Sequence, residues 1–217
     1  MTSLISTSLH HKIHPPRAQS PGNPPCLILL HGRGANEDDL LSLSGYLDER
    51  LFVVSARAPF EFQRGGGYTW YDILEIGRPE PKMFADSYNK LLSFIEDVRK
   101  KYPVDPSKVF LCGFSMGTMM SYAVALTRPA EIAGVIANSG YIPEETNLKF
   151  DWPGVKGKPF FVAHGTYDPT IPVMFSRRAK ALLQEAQAAV WYKEYDMGHQ
   201  INEESLNDMT HWLSRYL

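Results

Sequence analysis

The segment Gly113-Phe114-Ser115-Met116-Gly117 sets a hydroxyl nucleophile between two glycines, one two residues before it and one two residues after it. A β-rich apolar run, Lys108 to Cys112, leads in, and a helical run through Met119, Tyr122 and Ala123 leads out. A strand that turns straight into a helix at a serine strains that serine's backbone. It also brings other backbone against the positions two residues away, which must then lack side chains. A helix starting there aims free N–H groups and the positive dipole end at whatever charge develops on the reacting group. The pentapeptide alone is a weak signal, since an ordinary glycine-rich turn can match it. The strand-turn-helix context carries the argument.

A serine hydroxyl attacks a carbonyl carbon when a base takes its proton and an acid orients the base. In the α/β arrangement marked by G-x-S-x-G, the acid and then the histidine follow the serine in chain order, in loops at the C-terminal ends of strands. Asp168 follows the apolar run Pro159 to Ala163 through His164-Gly165-Thr166-Tyr167, and His199 follows Val190 to Tyr195 through Asp196-Met197-Gly198. Ser115, Asp168 and His199 are therefore the expected nucleophile, orienting acid and general base. Bland readings of Asp168 and His199 as helix caps compete with these roles. Asp196 rivals Asp168 but lies three residues from His199 in the same short loop. His10, His11 and His14 lie on an expected edge strand and His211 on the last helix, so none suits the base. His164, beside the acid in a tight turn, reads as structural.

Leu29-Leu30-His31-Gly32-Arg33-Gly34 comes directly off another strand, where this architecture draws the second donor of an oxyanion hole. The two donors are expected to be the main-chain N–H groups of Arg33 and Met116. The Arg33 guanidinium is left open between solvent and an acidic group of the substrate.

The elements that must position these residues alternate between short apolar runs and longer helical segments, the pattern of a mostly parallel sheet covered on both faces. Strands are expected at Cys26–Leu30, Leu51–Ser55, Lys108–Cys112, Ile132–Ala137, Pro159–Ala163 and Val190–Tyr195, with Leu4–His14 as an antiparallel edge. Asn36, followed by Glu37, Asp38 and Asp39, offers a cap and first-turn acids for a helix through about Tyr46. Further helices are expected at Met83–Tyr102, Met116–Leu126, Val173–Gln187 and Ile201–Arg215. Pro15–Pro25 reads as a surface turn. The 217 residues suit one α/β domain over the whole chain, 1–217.

Twenty-two basic against 24 acidic side chains leave a net charge of -2, too little to recruit nucleic acid or an anionic membrane. Met1 to His14 lacks a secretory signal pattern, and no stretch approaches a membrane span. Cys26 and Cys112 sit in apolar runs and read as inert core thiols, which favours a reducing, cytoplasmic setting. No metal is expected, because no His-Glu-x-x-His helix or paired-cysteine cluster occurs.

Four blocks resemble the phospholipase/carboxylesterase family, which includes bacterial carboxylesterases and the acyl-protein thioesterases. They are Leu30 to Asn36; Arg57-Ala58-Pro59 with Gly65-Gly66-Gly67 and Trp70-Tyr71-Asp72; Gly113 to Gly117; and His164 to Asp168 with Met197-Gly198-His199. They span residues 30 to 199. The resemblance implies an α/β-hydrolase fold without a large lid domain, no cofactor, and hydrolysis of carboxylic esters or thioesters. It also implies that Trp70 and Ile171 shape an acyl pocket. Many relatives carry Gln after the nucleophile where this chain has Met116. That change spares the backbone donor and removes a side-chain contact to substrate. Tyr71 also fits plain core packing, and Asp72 a structural hydrogen-bond acceptor.

The expected activity is hydrolysis of a small-molecule ester through an acyl-enzyme on Ser115: a carboxylesterase, with lysophospholipase and thioesterase variants open. Acyl transfer or peptide hydrolysis by the same triad is a rival, and a noncatalytic binding protein of the same fold is another. Oligomeric state stays open, a homodimer included.

Overall fold

Cys26–Leu30 is apolar at every position, so it can be satisfied only where both faces of a strand are covered. It forms β2, and all five residues are buried. The computed structural model describes residues 5–19, 21–63 and 65–217. In chain order the strands are β1 (His11–His14), β2 (Cys26–Leu30), β3 (Phe52–Ala56), β4 (Phe60–Glu61), β5 (Tyr68–Thr69), β6 (Ile73–Glu75), β7 (Arg78–Pro79), β8 (Val109–Phe114), β9 (Gly134–Asn138), β10 (Pro159–Gly165) and β11 (Ala189–Tyr195). The helices are α1 (Pro81–Lys101), α2 (Met116–Thr127), α3 (Val173–Glu185) and α4 (Glu203–Ser214). Seven strands make one sheet in the order β1-β3-β2-β8-β9-β10-β11. All neighbours run parallel except β1, which pairs antiparallel with β3.

Strand side chains alternate between faces, and the core divides accordingly. Cys26, Ile28, Leu30, Val109, Leu111, Phe160 and Val162 pack with Phe84, Leu91 and Phe94 of α1, with α2, and with Ala179 and Leu183 of α3. Leu27, Leu29, Phe110, Cys112, Phe161 and Ala163 pack on the other face with Leu206, Met209, Trp212 and Leu213 of α4. Helix α2 is buried from Met116 to Leu126, as its all-round apolar sequence requires.

Four features differ from expectation. No α-helix starts at Asn36. Its Oδ1 accepts the Asp38 N–H at 2.8 Å, and a 3₁₀ helix over Leu40–Tyr46 follows. The reason is Glu37, which turns inward to a side chain only 2% exposed and takes two bonds of 2.6 Å from Arg57, just after β3. The edge strand is confined to His11–His14, and Leu4 lies outside the described residues. His11 is buried there, its Nε2 2.7 Å from the Tyr102 hydroxyl, so that edge is less polar than its histidines suggest. Two hairpins, β4-β5 and β6-β7, cross the segment between β3 and α1, where the short strands carry no readable alternation. Helix α1 starts at Pro81, two residues earlier than its periodicity predicts, because the Glu80 carboxylate caps the N–H groups of Lys82 and Met83.

Candidate active site

Strand β8 runs through Phe114, and the chain reverses at Ser115, whose φ of 53° and ψ of -119° lie outside the ordinary regions for an L-residue. Packing enforces the turn. A Cβ on Gly113 would overlap the backbone of Gly117 and Thr118, and one on Gly117 would overlap the Leu30 carbonyl at the end of β2. The Asn138 carbonyl, ending β9, accepts the Ser115 N–H at 2.9 Å and the Thr118 hydroxyl at 2.7 Å, which ties the elbow to its neighbouring strand.

Strands β10 and β11 deliver the other two side chains. Asp168 has a fully buried carboxylate. Its Oδ1 accepts the N–H groups of Thr170 and Ile171, both at 2.8 Å, and its Oδ2 lies 2.7 Å from His199 Nδ1. Since a carboxylate only accepts, His199 carries its proton on Nδ1 and leaves Nε2 free as a base. The Phe114 ring packs on the imidazole with centroids 4.9 Å apart. Ser115 and His199 line the same cavity, of about 320 Å3. Among the described residues the Ser115 hydroxyl makes no side-chain hydrogen bond; such bonds commonly tighten only once substrate is bound.

His164 lies under the acid. Its Nε2 donates to the Ile171 carbonyl at 2.8 Å and stands 3.4 Å from Asp168 Oδ2, and burial lowers its pKa below that of a free imidazole. Asp196 is exposed, and among the described residues the ion pair and side-chain hydrogen bond of His199 are with Asp168 instead.

Arg33 and Met116 both line the cavity; among the described residues the Arg33 N–H makes no backbone hydrogen bond outside regular elements, and Met116 opens α2, where an N–H has no intrahelical acceptor. They are thus available to an oxyanion. The loop carrying Arg33 is pinned by His31, whose Nδ1 donates to the Gly32 carbonyl at 2.7 Å and whose Nε2 accepts the Ala58 N–H at 3.0 Å. Burial lowers the His31 pKa, favouring the neutral form that this pair of bonds requires.

Trp70 is not brought into the cavity. It is 0% exposed, its indole N–H donates to the His31 carbonyl at 3.0 Å, and its own carbonyl accepts the Ser87 hydroxyl. Its bond to His31 ties it to the loop that carries Arg33. Tyr71 is buried in the core, and Asp72 is exposed; among the described residues it bonds through its main-chain carbonyl, which accepts the Glu80 N–H. Ile171 does line the cavity, with Met119, Tyr141, Thr170, Ile73 and Ile76. Tyr141 could have been found from its place just past the C-terminal end of β9. Ile73 and Ile76 could not, because they come from the unforeseen β6-β7 hairpin. The Met116 sulfur accepts from the Thr69 hydroxyl at 3.4 Å, so this side chain faces structure as well as the cavity.

The model of the phospholipase/carboxylesterase family matches residues 15–217. Acyl-protein thioesterase 1 of Saccharomyces cerevisiae is 28% identical over 88% of this chain and 92% of its own. Carboxylesterase SOBER1 of Arabidopsis thaliana is 27% identical over 69% of this chain and 68% of its own. The crystal structure of the Bacillus cereus carboxylesterase superposes with a TM-score of 0.84 at 24% identity, covering 96% of this chain and 95% of that one. The likeness extends over the whole sheet and its helices, which is the α/β-hydrolase fold. No helix among the described residues is long and apolar enough to cross a membrane.

Proposed function

Because the chain belongs to the phospholipase/carboxylesterase family and is a carboxylic ester hydrolase, we propose that Ser115 is its nucleophile, His199 its general base and Asp168 the acid that orients the base. His199 Nε2 takes the proton of Ser115 as Oγ attacks the ester carbonyl. The negative charge that forms on the carbonyl oxygen is held by the N–H groups of Arg33 and Met116, each such donor contributing about 3 to 4 kcal/mol to the transition state. Asp168 keeps the Nδ1 tautomer and stabilises the imidazolium. The imidazolium protonates the leaving alcohol or thiol, an acyl-enzyme remains, and a water deprotonated by His199 releases the acid.

One observation carries this reading: the His199 imidazole is bound through Nδ1 to a fully buried carboxylate and opens on the cavity that Ser115 lines. The acyl group is assigned to the side bounded by Met119, Tyr141 and Ile171, an apolar cluster distinct from the two main cores. The free, buried thiols of Cys26 and Cys112, the latter pushed up to about 12, support a reducing, cytoplasmic setting. Turnover of p-nitrophenyl butyrate tests the assignment. Loss of about three or more orders of magnitude in kcat in Ser115→Ala and His199→Ala, with the folded circular-dichroism spectrum kept, is expected. Full turnover in Ser115→Ala would end it.

A further inference from the structure

Strand order places Arg33 and Ile171 on opposite sides of the nucleophile. Arg33 follows β2 and Ile171 follows β10, while Ser115 follows β8, which lies between β2 and β9. Adjacent strands are about 4.8 Å apart, so these loops bracket the reacting serine. The cavity they enclose is otherwise lined by neutral or apolar groups and by His199; among the described residues Arg33 is the one residue of fixed charge that borders it, an exposed residue whose guanidinium reaches Phe62 in the adjoining groove. Its guanidinium lies over the Phe62 ring, 5.4 Å from the centroid, and among the described residues it has no carboxylate within ion-pair distance. Glu61 and Asp72 line the adjoining groove that Arg33 and Ile73 share with them, but neither pairs with it.

A cation stacked on an aromatic face is held in orientation without using its N–H donors. Arginine presents those donors as a planar fork that matches a carboxylate or a phosphate. We propose that the substrate carries an anionic group, a carboxylate or phosphate, on its leaving alcohol or thiol, and that the Arg33 side chain binds it while the acyl group lies against Ile171. This rests on the assignment of Ser115 as nucleophile, and it adds a specificity role for the Arg33 side chain beside the role of its main chain.

The test compares 4-carboxyphenyl butyrate with its neutral isostere 4-carbamoylphenyl butyrate, with 4-(phosphonomethyl)phenyl butyrate as a third substrate. Each is assayed with the unaltered protein, Arg33→Gln and Arg33→Lys. The readout is the ratio of kcat/KM for the anionic ester to that for the neutral one, so any general effect of a variant on the oxyanion loop cancels. The ratio should fall about tenfold in Arg33→Gln for at least one anion, which also identifies the preferred group. It should fall less in Arg33→Lys, which keeps the charge without the fork, and should shrink in 0.5 M salt in the unaltered protein. Ratios unchanged by Arg33→Gln for both anions, with all three esters still hydrolysed, would overturn this assignment alone. Failure of the unaltered protein to hydrolyse any of the three esters would instead count against the Ser115 reading.

Discussion

Asp168 Oδ2 accepts the Nδ1 proton of His199 at 2.7 Å while Asp168 Oδ1 is saturated by the N–H groups of Thr170 and Ile171. The acid is thereby fixed by its own loop before it meets the base. In Asp168→Asn the amide can keep the place, but its NH2 would face Nδ1 and favour the wrong imidazole tautomer. We expect kcat on p-nitrophenyl butyrate to fall roughly 10⁴-fold with little change in thermal stability. A fall of less than tenfold would mean that this carboxylate does not orient the base.

Trp70 separates two accounts of the aromatic block. Since its indole N–H holds the His31 carbonyl, Trp70→Phe should lower stability to urea by about 1 to 2 kcal/mol and reduce kcat, with the acyl-chain preference unchanged. A shifted chain-length optimum at unchanged stability would return Trp70 to the acyl pocket.

Substrate length follows from the cavity, whose volume of about 320 Å3 is near the lower end for ligand sites, ~300 to 1,000 Å3. Among p-nitrophenyl esters from acetate to palmitate, kcat/KM should peak at short chains. Ile171→Ala should move the peak to longer ones. Equal rates on butyrate and palmitate would contradict the assignment of a closed apolar end at Met119, Tyr141 and Ile171.

Acid should unfold the protein in two stages. Burial holds the His31 pKa below its ordinary 6.5, so as pH falls below that value the unfolded chain takes up the proton first and stability declines. The Arg57 guanidinium beside Glu37 holds that carboxyl at about 2 against an ordinary 4.5. Its contribution, about 3 kcal/mol, is complete above 4.5 and lost as pH falls toward 2. Urea titrations between pH 8 and 3 should show both declines. Glu37→Gln should shrink the lower one, to which Glu194, held low by Arg177, also contributes, while costing stability at neutral pH, because Arg57 loses its partner. Stability independent of pH down to 3 would refute both the burial of His31 and the pairing of Glu37 with Arg57.

Much of this arrangement was legible in the residues. The parallel strands announced themselves because a run such as Cys26 to Leu30 has no polar face, and Gly113 and Gly117 marked an elbow whose tightness is now explained by the Leu30 carbonyl. What escaped notice depended on contacts between distant segments. Glu37 read as a first-turn acid because its partner, Arg57, lies beyond the next strand. The family resemblance implied a pocket role for Trp70, and nothing local reveals its indole bond to His31. The β6-β7 hairpin that brings Ile73 and Ile76 to the cavity has strands of three and two residues, too short for any period to show.

The most direct measurement is the site and rate of labelling by a fluorophosphonate probe, read by peptide mass spectrometry. Activated Ser115 should take the label, Ser115→Ala should take none, and His199→Ala should react at least about a thousandfold more slowly. Label on another residue, or equal labelling with and without the His199 imidazole, would contradict the account.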